Sequence, residues 1–384
     1  MKEIYWRPKE ISKTILIILS VFSLAGLMVV EFFLSRKEQP YYKKKIVAAN
    51  YASKAMNAVK QEKKRRNMKI NREDDPANSG MIGYFMTPVT SKTGVLEAKQ
   101  TSINPNFAAV ILEQLKKADV KEGDIVAVGF SGSFPALNIS VLAAAKALNL
   151  KLLILTSASA SQYGANDPDF VWLDIEKLLF DKKIFPYRTS YATLGGKDDA
   201  GKGMPDLGIG LLKQAVLRNG IPIMENFPGM KEKVERNMRI FEELSMGEKI
   251  KAYINVGGGT VSTGSEAGKK LFQPGLNLSL NNRRSKGIDS VMKRFIQKDV
   301  PVIHLTQIKV LAAKYGLPIS PKETPRIGEG KIYYKEEYNT YLALSIFLGI
   351  ILLLYIFFKT ELGVYIFYNT KYNTSKKSDL EPTI

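Results

Sequence analysis

The stretch that decides the fold runs from Asp124 to Pro135 and reads Asp-Ile-Val-Ala-Val-Gly-Phe-Ser-Gly-Ser-Phe-Pro. The apolar run Asp124–Val128 predicts a buried β-strand, and Pro135 opens a helical pattern directly after the turn. A strand, a short turn of small residues and a helix are the start of a crossover unit between parallel strands.

The same alternation continues between residues 81 and 325. Further strands are predicted at Lys151–Leu155, Ile221–Met224, Ala252–Val256 and Pro301–Leu305. Helices are predicted at Asn104–Ala118 (with Asn104 as cap and Pro105 first in the helix), Pro135–Leu148, Asp206–Arg218, Lys231–Leu244 and Ile288–Gln297. Strands that alternate with helices of this length predict a mainly parallel, three-layer α/β domain, which we bound at residues 81–330.

Loops rich in glycine and hydroxyl groups follow three of these strands, and the carboxyl ends of parallel strands meet at one edge of a sheet, where ligands bind. Backbone N–H groups and hydroxyls in such loops are donors for a carboxylate or a phosphate. The candidate ligand-binding residues are Gly129, Gly132, Ser133, Ser157, Ser159, Ser161, Gly257, Gly258, Gly259, Thr260, Ser262 and Thr263. For any one loop alone, a helix cap at Ser133 or a plain turn at Gly257–Gly259 explains the residues equally well.

A hydrolase is a second hypothesis for the same edge. The pattern Gly129-x-Ser131-x-Ser133 is similar to a nucleophile elbow, except at its last position. The catalytic candidates are then Ser131 as nucleophile and His304 as base, with Asp167 or Asp169 as the acid. The competing interpretation is that a lone histidine at a strand end is structural.

Two other loops have weaker signals. Gly196-x-x-x-x-Gly201-Lys202 resembles a P-loop, but Gly203 stands where Ser or Thr would bind magnesium and no apolar strand is predicted before it. We therefore interpret it as a mobile loop. The Ser/Thr loops at 131–133 and 156–161 are loosely similar to those of phosphosugar-isomerase-type binding domains.

Cysteine is absent from the 384 residues, and His304 is the only histidine. These counts exclude disulfides, thiolate or multi-histidine metal sites and a cysteine nucleophile. We expect no metal and no cofactor.

Two apolar runs frame the chain. Residues 14–34 and 338–358 are each 21 positions long, close to the ~20 residues that cross a bilayer as a helix. The first run continues too far past Ala25-Gly26 for a typical cleaved signal peptide, and we interpret it as an uncleaved anchor. The chain is thus predicted to be a two-pass cell-membrane protein with tails at 1–13 and 359–384.

The net charge of +19 is concentrated near the N-terminus, where residues 1–72 hold 17 Lys/Arg and 5 Asp/Glu. Residues 35–80 are predicted to form a basic helical stalk that ends in a linker. The stalk either rests on anionic lipid headgroups or is a solvated spacer. The flanking basic residues, eight outside the spans and seven inside, do not fix the orientation. We favour the extracytoplasmic side for the central domain.

Four segments carry a resemblance to a known family: Gly83–Thr90, Gly129–Asn138, Ser157–Asn166 and Asn255–Gly259. Together with the two spans they resemble the poly-gamma-glutamate system protein family, found beside the amide ligase and the small membrane protein that make and export poly-γ-glutamate. The resemblance covers nearly the whole chain and implies a role in production or release of this polymer. It implies the synthase ligase and its small membrane partner as partners, and it carries over no catalytic residue.

The expected function is therefore that of a membrane-anchored component of a poly-γ-glutamate system whose α/β domain binds a carboxylate or polyanionic ligand. Anionic lipid and the polyanionic polymer are the expected partners of the basic charge, and nucleic acid is not. The alternatives are a serine-dependent hydrolase or transferase acting on the polymer and a non-catalytic assembly factor of the synthase.

Overall fold

The computed structural model describes residues 13–264, 268–280 and 287–359 of the chain. The predicted tails at 1–13 and 359–384 lie almost wholly outside these residues. The described elements are, in chain order, α1 (Lys13–Phe32), β1 (Ser35–Glu38), α2 (Tyr42–Arg65), β2 (Thr90–Lys92), α3 (Leu96–Ser102), α4 (Phe107–Lys117), β3 (Ile125–Ser131), α5 (Pro135–Ala147), β4 (Lys151–Ser157), β5 (Ala160–Ser161), α6 (Trp172–Asp181), β6 (Tyr191–Thr193), α7 (Asp206–Arg218), α8 (Met230–Ser245), β7 (Ile250–Val256), α9 (Thr260–Thr263), β8 (Gly275–Asn277), α10 (Val291–Gln297), β9 (Val302–Leu305), α11 (Ile308–Lys314), β10 (Tyr334–Glu337) and α12 (Thr340–Lys359).

Six strands form one sheet in the order β6-β4-β3-β7-β9-β8. Every neighbouring pair is parallel except β8 with β9, so the predicted mainly parallel α/β sheet is confirmed. Strand β3 lies near the centre, and all seven of its residues are buried. Burial on both faces explains why this strand reads as a continuous apolar run.

Alternation along β3 places successive side chains on opposite faces of the sheet. Ala127 packs in a core cluster with Phe241 of α8 and Phe295 of α10. Phe130, three residues further on, contacts Trp172 of α6 edge-on, with ring centroids 5.6 Å apart. Helices therefore cover both faces, and the carboxyl edges of the strands stay open between them.

Helix α2 is part of this α/β unit and does not form a separate stalk. The compact unit begins at Gln39 and ends at Tyr333, so its boundary is not near Met81. One face of α2 is buried against α4 and α5. The side chains on that face are small and mostly wholly buried: Ala48, Ala49, Ala52, Ala55, Met56 and Val59. Alanine at these positions lets the helix backbones approach closely. Lys45 is buried as well and forms an ion pair with Glu113 of α4 at 2.6 Å.

The sequence patterns predicted the short helices and strands poorly. Ile221–Met224 is not a strand within the described chain, because Pro222 has no N–H to donate and only a single bridge joins Ile223 to Ala192. Strands β6 and β8, with three residues each, were not predicted, and neither were α3, α6, α9 or α11. Helix α4 begins at Phe107, two residues later than predicted, and Asn104 Oδ1 accepts the Asn106 N–H at 3.0 Å, as expected of a residue that caps the first turn.

The terminal segments form a second compact unit, up to Glu38 and from Tyr334 onward. Helices α1 and α12 have windows of mean hydropathy 2.5 and 2.4 and are long and apolar enough to cross a membrane. They pack on each other, and a Cβ added at Gly26 would lie 2.5 Å from a methyl carbon of Ile346. Strands β1 and β10 pair antiparallel beside them.

Candidate functional site

The serine- and glycine-rich loops do meet at one edge of the sheet. The register of the parallel strands places Gly129 beside Leu155 on one side and Asn255 on the other, and Asn255 beside His304. The turns that follow β3, β4, β7 and β9 therefore leave the sheet in the same direction. This is the arrangement that the sequence predicts for a ligand-binding edge.

The predicted residues divide between two cavities at this edge. A cleft of about 600 Å³, here called the lysine cleft, contains Ser133, Ser161, Gly257 and Gly258 together with Lys92, Lys99, Lys269 and Lys309. A polar pocket of about 30 Å³, here called the small pocket, contains Gly129, Ser157, Gly259, Thr260 and Ser262. The small pocket has room for about one water molecule, whereas the lysine cleft has room for a ligand.

The remaining predicted residues line neither cavity and hold the loops together. Ser131 Oγ donates to the Val256 carbonyl at 3.4 Å. Ser159 Oγ donates to Ser91 Oγ at 3.1 Å, and Thr263 Oγ1 donates to the Gly259 carbonyl at 3.0 Å. The Gly132 N–H donates to backbone carbonyls of the loop after β4. These four residues position the edge, and none of them faces the lysine cleft.

Lys99 is the most buried of the four lysines that line the cleft, and it is 2% exposed. Its Nζ donates to Ser161 Oγ at 2.8 Å and to the Ser133 carbonyl. The same Nζ lies 3.8 Å from the centroid of the Phe134 ring. An ammonium has three N–H donors, and the two hydrogen bonds leave one for a ligand in the cleft.

Burial, reinforced by the neighbouring Lys92, lowers the pKa of Lys99 from its usual 10.5 to about 7. A lysine is therefore held where it gains and loses its proton near neutral pH. An anion that enters the cleft stabilises the charged form of Lys99, because opposite charges attract strongly where water is excluded.

The charge of the lysine cleft is of one sign. Lys92 Nζ donates to the Gly258 carbonyl at 3.2 Å, and Lys309 forms an ion pair with Glu97, which lies outside the cleft lining. Four lysines and no carboxylate are among the described residues that line it. A cavity whose charged side chains are all lysines is suited to an anion of extended shape, such as a chain of carboxylates.

His304 is fully buried beside this edge and makes a different set of contacts from those of a catalytic base. The Asn255 amide nitrogen lies 3.1 Å from His304 Nδ1, so Nδ1 accepts and the ring proton is on Nε2. Burial, with a smaller contribution from Lys269, lowers the pKa of His304 to about 4.

No hydrogen bond joins His304 to Ser131, Asp167 or Asp169, all of which belong to the described residues. The Asp167 carboxylate instead accepts the backbone N–H of Asp169 at 2.9 Å. The contacts give no support to a Ser131-His304-acid triad and favour structural roles for both Ser131 and His304.

Asp199, which lines the small pocket, belongs to a buried charge pair that the sequence patterns did not reveal. Asp199 accepts hydrogen bonds from Thr193 and from Ser157, and it lies 3.4 Å from the Arg236 guanidinium. Burial raises the pKa of Asp199. Because each partner of Asp199 belongs to another element, only the folded chain brings this pair together.

The Gly196–Gly203 segment connects β6 to α7 and folds as a closed turn. Lys197 N–H donates to the Lys202 carbonyl at 2.9 Å, and Gly201 N–H donates to the Gly195 carbonyl at 2.7 Å. The preceding strand β6 is an edge strand of three residues, so the segment does not have the strand context of a P-loop.

Groups of three or more His, Asp or Glu side chains placed to hold a metal ion are not found among the described residues. The lysine cleft, which is lined by the buried Lys99, is the principal candidate site of the α/β unit because it is large enough for a ligand and brings predicted residues together. Comparisons with protein-family models, with curated proteins and with solved structures find no match for this chain, so its function is argued from the geometry above.

Proposed function

We propose that the chain is a membrane-anchored component of a poly-γ-glutamate synthesis or export system, and that its α/β unit binds carboxylates of the polymer in the lysine cleft. The observation that carries the proposal is the lining of that cleft by four lysines and no carboxylate. Poly-γ-glutamate presents one free carboxylate on each residue, so it offers repeated anionic groups to a row of cations.

The chemistry of the cleft matches a peptide-like polyanion in a second way. Ser133, Ser161 and the Gly257–Gly258 turn supply hydroxyl and backbone groups between the lysines. Amide groups of a γ-linked chain are partners for these neutral groups, and carboxylates are partners for the ammonium groups. The resemblance of the sequence to the poly-gamma-glutamate system proteins supports the same ligand.

Two further parts of the proposal concern the membrane. Helices α1 and α12 are proposed to span it, on the basis of their length and apolar composition. The exposed basic side chains of α2, such as Lys43, Lys44 and Lys64, are proposed to attract anionic lipid. The polymer ligase and its small membrane protein are the proposed partners of the spans.

Binding of a fluorescent γ-glutamate oligomer to the full chain in detergent micelles tests the proposal. We expect binding that weakens steeply with salt, and at least tenfold weaker binding after Lys99→Gln or Lys269→Gln. Lys213→Gln is the matched control, because Lys213 is an exposed lysine on α7 outside the cleft. We expect it to bind within twofold of the unchanged chain.

An oligomer whose carboxylates are converted to amides provides the second control. If it binds as tightly as the acid form, the cleft does not select carboxylates and the proposal fails. Absence of binding by either oligomer, with the ligase still retained by the full chain, would favour the assembly-factor alternative.

A further inference from the structure

A third cavity lies away from the lysine cleft and the small pocket, where the ends of two segments singled out in the sequence meet. Residues Gly83–Phe85 and Gly164–Asp167 form one side of it, and the end of α2 with the segment that follows it forms the other. Its volume is about 190 Å³, and we call it the amphoteric cavity. Its lining combines both signs of charge with apolar side chains: Lys63, Lys69, Asp74, Asp167, Tyr84, Met68, Ile82, Phe85 and Phe170.

Lys63 and Asp167 face this cavity without pairing to each other. Lys63 Nζ has no hydrogen bond and no ion pair within 4.0 Å to any described residue. Asp167 accepts the backbone N–H of Asp169 at 2.9 Å, and burial, together with the charge of Asp167 and a hydrogen bond to it, raises the pKa of the Tyr84 hydroxyl. Two opposite charges therefore line the same cavity but are too far apart to form an ion pair with each other.

Burial lowers the pKa of Lys63 to about 8, although the carboxylates of Asp75 and Asp167 act in the opposite direction. Asp75 is unavailable as a close partner, because its oxygens accept from Ser79 and from the Gly80 N–H. Among the described residues the Lys63 ammonium thus has no hydrogen-bond acceptor, in a site where an ammonium gains most from one.

The wall opposite Lys63 is rigid. Asn166 Oδ1 accepts the Tyr84 N–H at 2.9 Å, and Asn166 Nδ2 donates back to the Tyr84 carbonyl at 2.7 Å. A Cβ added at Gly83 would lie 1.8 Å from the Gly164 carbonyl oxygen, so the two segments are in close contact. A cavity with fixed walls loses little entropy on binding a ligand.

We propose that the amphoteric cavity binds a free amino acid with an apolar side chain. Its carboxylate bonds to Lys63, its ammonium lies at Asp167, and its side chain lies against Met68, Ile82 and Phe170. This assignment rests on the charges of Lys63 and Asp167, which are unpaired among the described residues, because a zwitterion can form an ion pair with each of them at once. A volume equal to about six water molecules suits a ligand of this size.

Calorimetric titration of the full chain in detergent micelles with L-leucine tests the inference. The two half-molecules, 4-methylpentanoate and isoamylamine, are titrated at the same ionic strength. We expect measurable binding of L-leucine and at least tenfold weaker binding of each half-molecule, since each leaves either Lys63 or Asp167 without an ion-pair partner. No heat from L-leucine at millimolar concentration overturns the proposal, and so does a half-molecule that binds as tightly as leucine.

Variants locate the site. Lys63→Met and Asp167→Asn are each expected to weaken leucine binding at least tenfold, whereas Lys64→Met, an exposed neighbour on the same helix, is expected to leave it within twofold. Unchanged binding in both Lys63→Met and Asp167→Asn would place leucine elsewhere and overturn the assignment. Excess γ-glutamate oligomer is expected not to displace leucine, so this result is independent of whether the lysine cleft binds the polymer.

Discussion

Lys99 Nζ donates to Ser161 Oγ across 2.8 Å, and this bond connects helix α3 to strand β5. The parallel pairing of β2 with β5 sets Lys92 beside Ser161 in the same place. The ammonium groups of Lys92 and Lys99 therefore line the same cleft. Their mutual repulsion is reduced when an anion binds or when Lys99 loses its proton.

Oligomer binding is expected to depend on pH through Lys99. With a pKa of about 7, this lysine is mostly charged at pH 6 and mostly neutral at pH 8.5. Because an anion binds the charged form, the affinity for the γ-glutamate oligomer should fall as pH rises through this range, by roughly tenfold. Fluorescence anisotropy titrations at constant ionic strength measure this change in affinity.

Lys99→Met provides the control for that experiment. This variant should bind weakly at both pH values and show a flat profile. A profile as steep as that of the unchanged chain would assign the titration to another group.

His304 is expected to remain neutral well below its usual titration range. Its folded pKa of about 4 lies below the ordinary 6.5, so between these values the unfolded chain binds the proton and the folded chain does not. The free energy of unfolding should therefore decrease as pH falls from 6.5 to 4, by up to about 3 kcal/mol from this residue.

Because His304 is the only histidine, histidine-labelled protein shows its ring signal alone. NMR of this signal should reveal no titration above pH 5. A midpoint near 6.5 would mean that the ring is exposed to water.

The packing of α2 is tested by enlarging one of its buried alanines. Ala52 is wholly buried on the α2 face that packs on α5, and Ala52→Leu should lower stability by about 1–3 kcal/mol. Thermal melts of the full chain measure the change. Asn57→Leu adds an apolar group at an exposed position of the same helix and should change the melting temperature little. Equal melting temperatures for the two variants would indicate that α2 is a free stalk and does not pack in the α/β unit.

Ser131→Ala tests the hydrolase hypothesis. The Ser131 hydroxyl bonds weakly to the Val256 carbonyl and does not line the lysine cleft. The variant should bind the oligomer within twofold of the unchanged chain and lose at most about 1 kcal/mol of stability. Chromatography of the polymer after incubation with either protein should show the same chain length. Shortening by the unchanged chain that the variant lacks would establish Ser131 as a nucleophile.

The long strands were predictable because their signal is local. Strands β3, β4, β7 and β9 are apolar runs followed by turn residues, and periodicity suffices for them. Strands β6 and β8 are too short to show a period. Their positions depend on the neighbouring strands, which local sequence does not describe.

The sequence predicted where the candidate site lies, but it identified only some of the residues that line it. Strand direction determined that the loops share an edge, and Ser133, Ser161, Gly257 and Gly258 do line the cleft there. Lys99 was missed because it lies on α3, before the first strand of the sheet, where nothing in its neighbours distinguishes a buried lysine. The alanines of α2 showed a helix, but its partners α4 and α5 are more than 40 residues away.

The first and last residues of the α/β unit are adjacent, since the Gln39 N–H donates to the Tyr333 carbonyl at 2.8 Å. A domain whose ends meet is suited to engineering, because it can be excised and its termini sealed with a short linker, or grafted into a surface turn of another scaffold. The same proximity permits circular permutation, with new termini opened at an exposed loop. The α/β unit is therefore a module that can be transplanted, because its first and last residues are adjacent.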